Sequence, residues 1–174
     1  MKFLIKFVMV LMFLGIGGAY LYGRQLPREH AITSSIVLVA PADSVFKVIR
    51  NVSEYPSWWS DVVAVERVRG ARGETWREDM GTSGSIDVEL KNVVTGRSME
   101  AHIVGGEEQG WGGVWYYEVR NTLSGTEVTI TEEGFIDSPV VRAFMKLRGK
   151  YRTVDSFLSS LAAHFGEVTS PRHS

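Results

Sequence analysis

Residues 138–166 constrain the fold more than any other stretch, because they have the pattern of one long amphipathic helix. Ser138 suits the N-cap, Pro139 suits the first helical position, and Gly166 suits the left-handed residue that often ends a helix. Gly149 lies inside, where it permits a bend or a close approach, or is simply tolerated. An apolar stripe recurs at steps of four and three residues: Val140, Phe144, Leu147, Tyr151, Val154, Leu158, Leu161 and Phe165. This stripe requires a second layer to cover it.

Most of residues 32–136 have the pattern of β-strands. Alternating apolar residues, separated by glycine-containing turns, predict seven strands over residues 32–39, 62–68, 75–80, 85–94, 97–104, 113–120 and 127–135. Since most connections are short, consecutive strands are predicted to pair antiparallel. The predicted fold class is α+β, with a curved seven-stranded antiparallel sheet wrapped around the long C-terminal helix.

The composition indicates one folded domain with a short N-terminal addition. The chain has 174 residues, of which 44 % are hydrophobic and 22 % are charged, which is enough for a real core. A net charge of -1 argues against nucleic acid as a partner, because phosphate binding normally requires a basic surface. The absence of cysteine excludes disulfides, thiolate metal sites and a cysteine nucleophile.

The N-terminal segment has the pattern of a membrane anchor. Residues 7–22 carry no charge, and residues 3–5 beside Lys6 extend the apolar run to about the 20 residues that a spanning helix needs. We therefore predict a transmembrane helix within residues 1–23 that contacts the membrane through residues 3–22. A linker at residues 24–31, a folded domain at residues 32–166 and a flexible tail at residues 167–174 follow.

Two features of this segment leave its topology open. Basic residues flank it on both sides, so the charge rule orients it weakly; with the terminal amine, it favours an extracytoplasmic domain over a cytoplasmic one. Gly17 and Ala19 are small residues that also suit a signal-peptide cleavage site, which would give a secreted protein. The anchor is favoured, because apolar residues continue through Leu21 and Tyr22.

Several segments of the chain resemble the START-like (SRPBCC) superfamily, which includes polyketide cyclases and dehydrases and lipid-transfer domains. The similar segments are VAPADSVF at 39–46, YPSWW at 55–59, GGVWYYE at 112–118, GTEVTITEEG at 125–134 and SPVVRAF at 138–144. The resemblance covers residues 32–165. It implies a helix-grip fold, in which a seven-stranded sheet holds the C-terminal helix, usually with an apolar cavity between them.

Alternation gives candidate residues for the lining of such a cavity. Met99, Ala101 and Ile103 share one strand face, and Trp115 and Tyr117 share another. The helix would add three more ligand-binding residues, which are Phe144, Met145 and Tyr151. The predicted ligand is a hydrophobic small molecule or a lipid. The alternative is that these side chains simply fill the core.

The sequence gives little support for catalysis. His102 and Glu100 share the strand face opposite Met99, which is typical of a solvated pair. Either Glu118 or Glu132 could point inward. No metal-ligand spacing, phosphate-binding loop or nucleophile motif occurs, so we predict no catalytic residue, no metal and no cofactor.

Three functions remain open at this point. The leading one is a membrane-tethered domain that binds a hydrophobic molecule. The second is an enzyme of the cyclase or dehydrase kind, which requires an ionisable group facing the cavity. The third is a packed scaffold without a ligand, acting through a surface such as the Trp58 and Trp59 cluster.

The helix also carries basic residues without acidic neighbours: Arg142, Lys146, Arg148, Lys150 and Arg152. One interpretation is a patch that contacts anionic headgroups beside the anchor. The other, which we favour from sequence alone, is a solvated helix face. The positions of these side chains relative to the N-terminal segment distinguish the two.

Overall fold

A computed structural model describes the backbone of residues 1–174 and every side chain except that of Lys2. The helices are α1 (Lys2–Gln25), α2 (Ala42–Arg50), α3 (Tyr55–Trp58), α4 (Pro139–Arg148) and α5 (Arg152–His164). The strands are β1 (Glu29–Leu38), β2 (Ala64–Arg67), β3 (Glu74–Asp79), β4 (Ser85–Val94), β5 (Ser98–Val104), β6 (Trp111–Thr122), β7 (Gly125–Ile136) and β8 (Arg172–His173).

The strands form one antiparallel sheet in the order β2-β3-β4-β5-β6-β7-β1-β8. The first seven strands lie within three residues of the predicted bounds, and the predicted α+β helix-grip class is confirmed. β1 starts at Glu29, so only residues 26–28 separate it from α1. The sheet also has an eighth strand that the sequence did not predict.

The eighth strand belongs to residues 167–174, for which the sequence predicts a flexible tail. Arg172 and His173 pair with β1, and the His173 ring stacks on Tyr151 with ring centroids 3.8 Å apart. The Glu167 carboxylate accepts hydrogen bonds from the backbone N–H groups of Val39 and Ala40. In the structure the tail therefore lies against the edge of the domain.

The predicted single helix over residues 138–166 is wrong, because the chain forms two helices there. α4 ends at Gly149, whose φ of +97° lies in the region that favours glycine, and α5 begins at Arg152. The predicted ends are correct: the Ser138 hydroxyl accepts a hydrogen bond from the Val141 N–H at 3.4 Å, and Gly166 has a φ of +71°.

The break divides the apolar stripe between two environments. Val154, Leu158 and Leu161 on α5 are fully buried under the sheet. Phe144 and Leu147 on α4 are 59 % and 83 % exposed, respectively. Because the turn at Gly149 redirects the chain, α5 alone supplies the helix held by the sheet.

Phe157 on α5 lies at the centre of an aromatic core. Its ring makes edge contacts with those of Tyr55, Trp58, Trp59, Trp115 and Tyr117, at centroid distances from 5.0 to 6.1 Å. Trp59 is buried, and Trp58 is half-buried against the same ring. The tryptophan pair therefore closes one end of the core, and it does not form the surface that the scaffold hypothesis requires.

The end of α1 packs against the start of α4. A side chain at Gly23 would collide with the backbone of Pro139, so the two helices approach as closely as glycine allows. The Arg142 guanidinium donates to the Gly23 carbonyl at 3.0 Å, and Ala143 is buried. Among the described residues, only Phe3–Gln25 is long and apolar enough to cross a membrane, and a cleaved signal sequence has the same properties.

Candidate functional site

A cavity of about 250 Å³ lies between the concave face of the sheet and the two C-terminal helices. Strands β3 to β7 form most of its wall, and Met145 of α4 and Thr153 of α5 close it from the helix side. The lining is mostly apolar and rich in aromatic rings, which are Trp59, Trp111, Trp115, Tyr117 and Phe135. The bulky rings do not fill the space, so a partly open, largely apolar site remains.

Strand register places the predicted β5 and β6 faces on the same side of the sheet. Met99 is paired with Tyr117, and Ala101 is paired with Trp115. Among the eight predicted ligand-binding residues, five line the cavity: Ala101, Ile103, Trp115, Tyr117 and Met145.

The other three predicted residues lie elsewhere. Met99 is on the predicted face but is buried in the core beside the cavity. Phe144 lies on the outer side of α4, and Tyr151 stacks on His173 at the sheet edge. Phe144 and Tyr151 lie outside the cavity because the helix breaks at Gly149, whereas their predicted positions assumed one straight helix.

The cavity contains a buried carboxylate that the sequence analysis missed. Glu78 on β3 is only 5 % exposed, and no described side chain donates a hydrogen bond to it. Burial raises the pKa of Glu78 to about 7. Alternation contained the signal, because Glu78 lies between Trp76 and Met80 on the inward face.

Other polar groups of the core surround this carboxylate. The pKa values of Tyr117 and Tyr55 are raised well above the usual range, chiefly by burial and further by the nearby carboxylate of Glu78. The Tyr55 hydroxyl donates to the Ile49 carbonyl at 2.7 Å. The indole N–H of Trp59 is buried and has no hydrogen-bond partner among the described residues. The site therefore has unused hydrogen-bonding capacity at Glu78.

His30 and Glu132 lie where the cavity reaches the surface. His30 Nε2 is 3.0 Å from Glu132 Oε1, and both side chains are part-buried. Both also line an open groove of about 340 Å³ beneath α4, which shares Met145 and Thr153 with the cavity. The groove gives the cavity an entrance between the sheet and α4, beside the end of α1. Of the two glutamates considered from sequence, Glu132 points inward and Glu118 is exposed.

Another histidine–carboxylate pair, His102 with Glu100, lies on the outer face of the sheet. His102 Nε2 is 2.7 Å from Glu100 Oε2, and this hydrogen bond lowers the pKa of Glu100. Neither side chain lines the cavity. Among the described side chains, no three His, Asp or Glu residues are grouped as a metal site would require.

Known proteins were compared with the chain by sequence and by structure. A search of curated proteins finds no match. The model of one family, described as polyketide cyclase / dehydrase and lipid transport, matches residues 29–166.

Solved structures share the fold at low sequence identity. The Zhui aromatase/cyclase from Streptomyces sp. R1128 has a TM-score of 0.64 at 14 % identity, over 78 % of this chain and 93 % of that one. A START superfamily protein from Mycobacterium smegmatis has a TM-score of 0.59 at 13 % identity, over 78 % and 96 %. Norcoclaurine synthase from Thalictrum flavum, in complex with dopamine and hydroxybenzaldehyde, has a TM-score of 0.62 at 12 % identity, over 82 % and 89 %.

At these identities the structural matches show a common fold and nothing finer. The family match is different in kind, because it covers all of the sheet up to β7 together with both C-terminal helices. The chain therefore belongs to the polyketide cyclase/dehydrase and lipid-transport family of START-like proteins, and its C-terminal domain has their helix-grip fold.

Proposed function

We propose that this protein binds a hydrophobic small molecule or a single lipid chain in the cavity, and that α1 tethers it to a membrane. The observation that carries the proposal is the largely apolar cavity between sheet and helices, which opens beneath α4. At about 250 Å³ it lies just below the roughly 300–1,000 Å³ of pockets for drug-sized ligands. This volume suits one or two rings or part of an acyl chain, and it is too small for a whole diacyl lipid.

The membrane part of the proposal is supported by α4 and by the end of α1. The apolar run of α1 stops at Tyr22, so Gly23 and its neighbour Pro139 lie at the level of the membrane surface if α1 spans the bilayer. Phe144 and Leu147 then extend from this level as an exposed apolar face. A bilayer would cover this face, which water would otherwise contact.

The basic residues agree with this arrangement in part. Arg142, Lys146 and Lys150 line the groove beside the end of α1, where anionic headgroups would lie. Arg148 and Arg152 line a different surface hollow. The five side chains therefore do not form one patch, and three of them support a contact with the membrane.

We expect Leu147 to lie within the bilayer when the full chain is reconstituted in phosphatidylcholine vesicles. The chain has no cysteine, so Leu147→Cys gives a single site for an environment-sensitive fluorophore. Nitroxide-labelled lipids should quench this fluorophore strongly. Leu123→Cys is the matched control, because Leu123 is fully exposed in the β6–β7 turn at the opposite end of the sheet. Equal, weak quenching at both positions would contradict membrane contact by α4.

The ligand proposal is tested with a variant whose cavity is filled. Ala101→Phe adds a ring in a buried position on the cavity wall and should exclude a ligand of this size. Native mass spectrometry of the full chain, released from nanodiscs prepared from host membrane, should show a non-covalent added mass in the unmodified protein. The mass should be absent in Ala101→Phe. The same added mass on both proteins would mean that the molecule binds outside the cavity.

Glu78 favours a second candidate function, which is proton-transfer catalysis of the cyclase or dehydrase kind. This function requires an ionisable group facing the cavity, and a carboxyl group with a pKa of about 7 is suited to act as acid or base near neutral pH. Two structurally similar proteins are enzymes, the aromatase/cyclase and norcoclaurine synthase. A catalytic role predicts that Glu78→Gln retains the bound molecule but abolishes its conversion.

A further inference from the structure

We propose that the ligand of this cavity carries a protonated amine that binds the carboxylate of Glu78. The inference rests on the proposed binding function and specifies the chemical class of the ligand. It follows from the geometry of the carboxylate, from the charges along the cavity wall and from the aromatic lining.

The geometry leaves Glu78 without a partner in the protein. Its side chain is more than nine-tenths buried on the cavity wall. The neighbours that face it from other elements are the phenols of Tyr117 on β6 and Tyr55 on α3. The Tyr55 hydroxyl is already donated to a backbone carbonyl. A buried carboxylate in this position is destabilising unless a bound molecule satisfies it.

The charges along the cavity wall favour a positively charged ligand over a negatively charged one. No lysine or arginine is among the lining residues, whose charged groups are Glu78 and Glu132. The one basic side chain on the wall is His30, and it is already paired with Glu132 at the entrance. A carboxylate or phosphate group inside the cavity would meet negative charge without a counter-ion, whereas an ammonium group would neutralise Glu78.

The aromatic lining favours the same ligand class. Trp59, Trp115 and Tyr117 line the cavity, and Trp and Tyr rings attract a cation that lies over their faces. An ammonium group also donates charge-assisted hydrogen bonds to a carboxylate, which are about twice as strong as neutral ones. An aromatic or short aliphatic amine would therefore satisfy the polar end and the apolar body of the cavity together.

Three naphthalene probes of similar size test this inference on the full chain in nanodiscs: 2-naphthylmethylamine, 2-naphthalenemethanol and 2-naphthoate. Calorimetric titrations, corrected with empty nanodiscs, give the affinity of each probe. At about pH 8 we expect the amine to bind at least about tenfold more tightly than the alcohol, and the carboxylate to bind most weakly. In Glu78→Gln the preference for the amine should fall to about twofold or less.

The pH dependence gives an independent readout. Because the Glu78 carboxyl ionises near pH 7, the affinity for the amine should rise several-fold between about pH 6 and 8. The His30–Glu132 pair at the entrance is present in both proteins, so only the part of the rise that Glu78→Gln removes is assigned to Glu78. Tyr55 and Tyr117 stay neutral over this range.

The outcomes separate the two proposals. Equal binding of amine and alcohol to the unmodified protein would overturn the amine inference and leave the binding function standing. An amine preference that persists in Glu78→Gln would also overturn it. If Ala101→Phe binds all three probes as well as the unmodified protein does, the cavity is not the binding site and both proposals fail.

Discussion

Phe157→Ala is expected to lower the free energy of unfolding of the domain by about 3–5 kcal/mol. Phe157 is completely buried, and its ring is surrounded by edge contacts with Tyr55, Trp59 and Tyr117 at 5.0 to 5.7 Å. Each such pair contributes roughly 0.5–1.5 kcal/mol beyond the burial of its area. Removing the ring loses these contacts and leaves a void that rigid neighbouring rings fill poorly.

Guanidinium unfolding of the full chain in detergent, followed by tryptophan fluorescence, measures this effect. Phe144→Ala is the matched control, because it makes the same chemical change on α4 at a position that is more than half exposed. It should cost less than about 1 kcal/mol. Equal losses in the two variants would contradict the placement of Phe157 at the centre of the core.

Glu78→Gln is expected to stabilise the domain by about 3 kcal/mol at about pH 8, with little change near pH 4. The folded-state pKa of Glu78 is raised to about 7, whereas an unfolded glutamate titrates near about 4.3. Between these values the folded protein binds more protons than the unfolded chain, so stability is lost as pH rises. The loss is complete above about pH 7, and a glutamine at this position removes it.

The measurement compares unfolding free energies of the unmodified protein and the variant at both pH values, which cancels the titration of other groups. Glu118→Gln is a suitable control, since Glu118 is an exposed glutamate on β6 and lies outside the cavity. As an exposed substitution, it should change the free energy of unfolding by no more than about 0.5 kcal/mol at either pH. A Glu78→Gln effect of the same size at both pH values would mean that the carboxyl group is not buried in the folded state.

Local patterns predicted the sheet well, because each strand carries its own signal. Alternation and glycine turns placed seven strands, and alternation on β5 and β6 placed Ala101, Trp115 and Tyr117 on the inward face. These residues line the cavity because cross-strand pairing brings matching faces together. The fold class follows from the same signals and from the family resemblance.

The periodicity of apolar residues could not predict the division of the C-terminal helix into α4 and α5. Leu147, Tyr151 and Val154 keep the steps of four and three across the break, so the pattern continues although the helix does not. Gly149 was the available signal, but a glycine inside a helix is often tolerated. The break depends on tertiary contacts, because α4 packs on α1 and α5 packs under the sheet.

Glu78 was missed for a different reason. An acidic residue in a strand usually lies on the solvent side, so Glu78 was not among the candidates, although alternation places it on the same face as Met80. Glu78 is buried because the whole sheet curves around α5. The sequence of β3 alone does not reveal this curvature. Ionisable residues that break the expected pattern are where functional sites commonly lie.

The most direct test of the central claim is to locate a bound probe by nuclear magnetic resonance. The full chain in nanodiscs, with methyl-labelled Ile, Val, Ala and Met, is saturated with 2-naphthalenemethanol. We predict nuclear Overhauser effects from the naphthalene protons to the cavity methyls of Ile86, Val88, Ala101 and Met145. Contacts only to the exposed methyls of Val141 on α4, or the same contacts in Ala101→Phe, would show that the apolar interior does not bind the molecule.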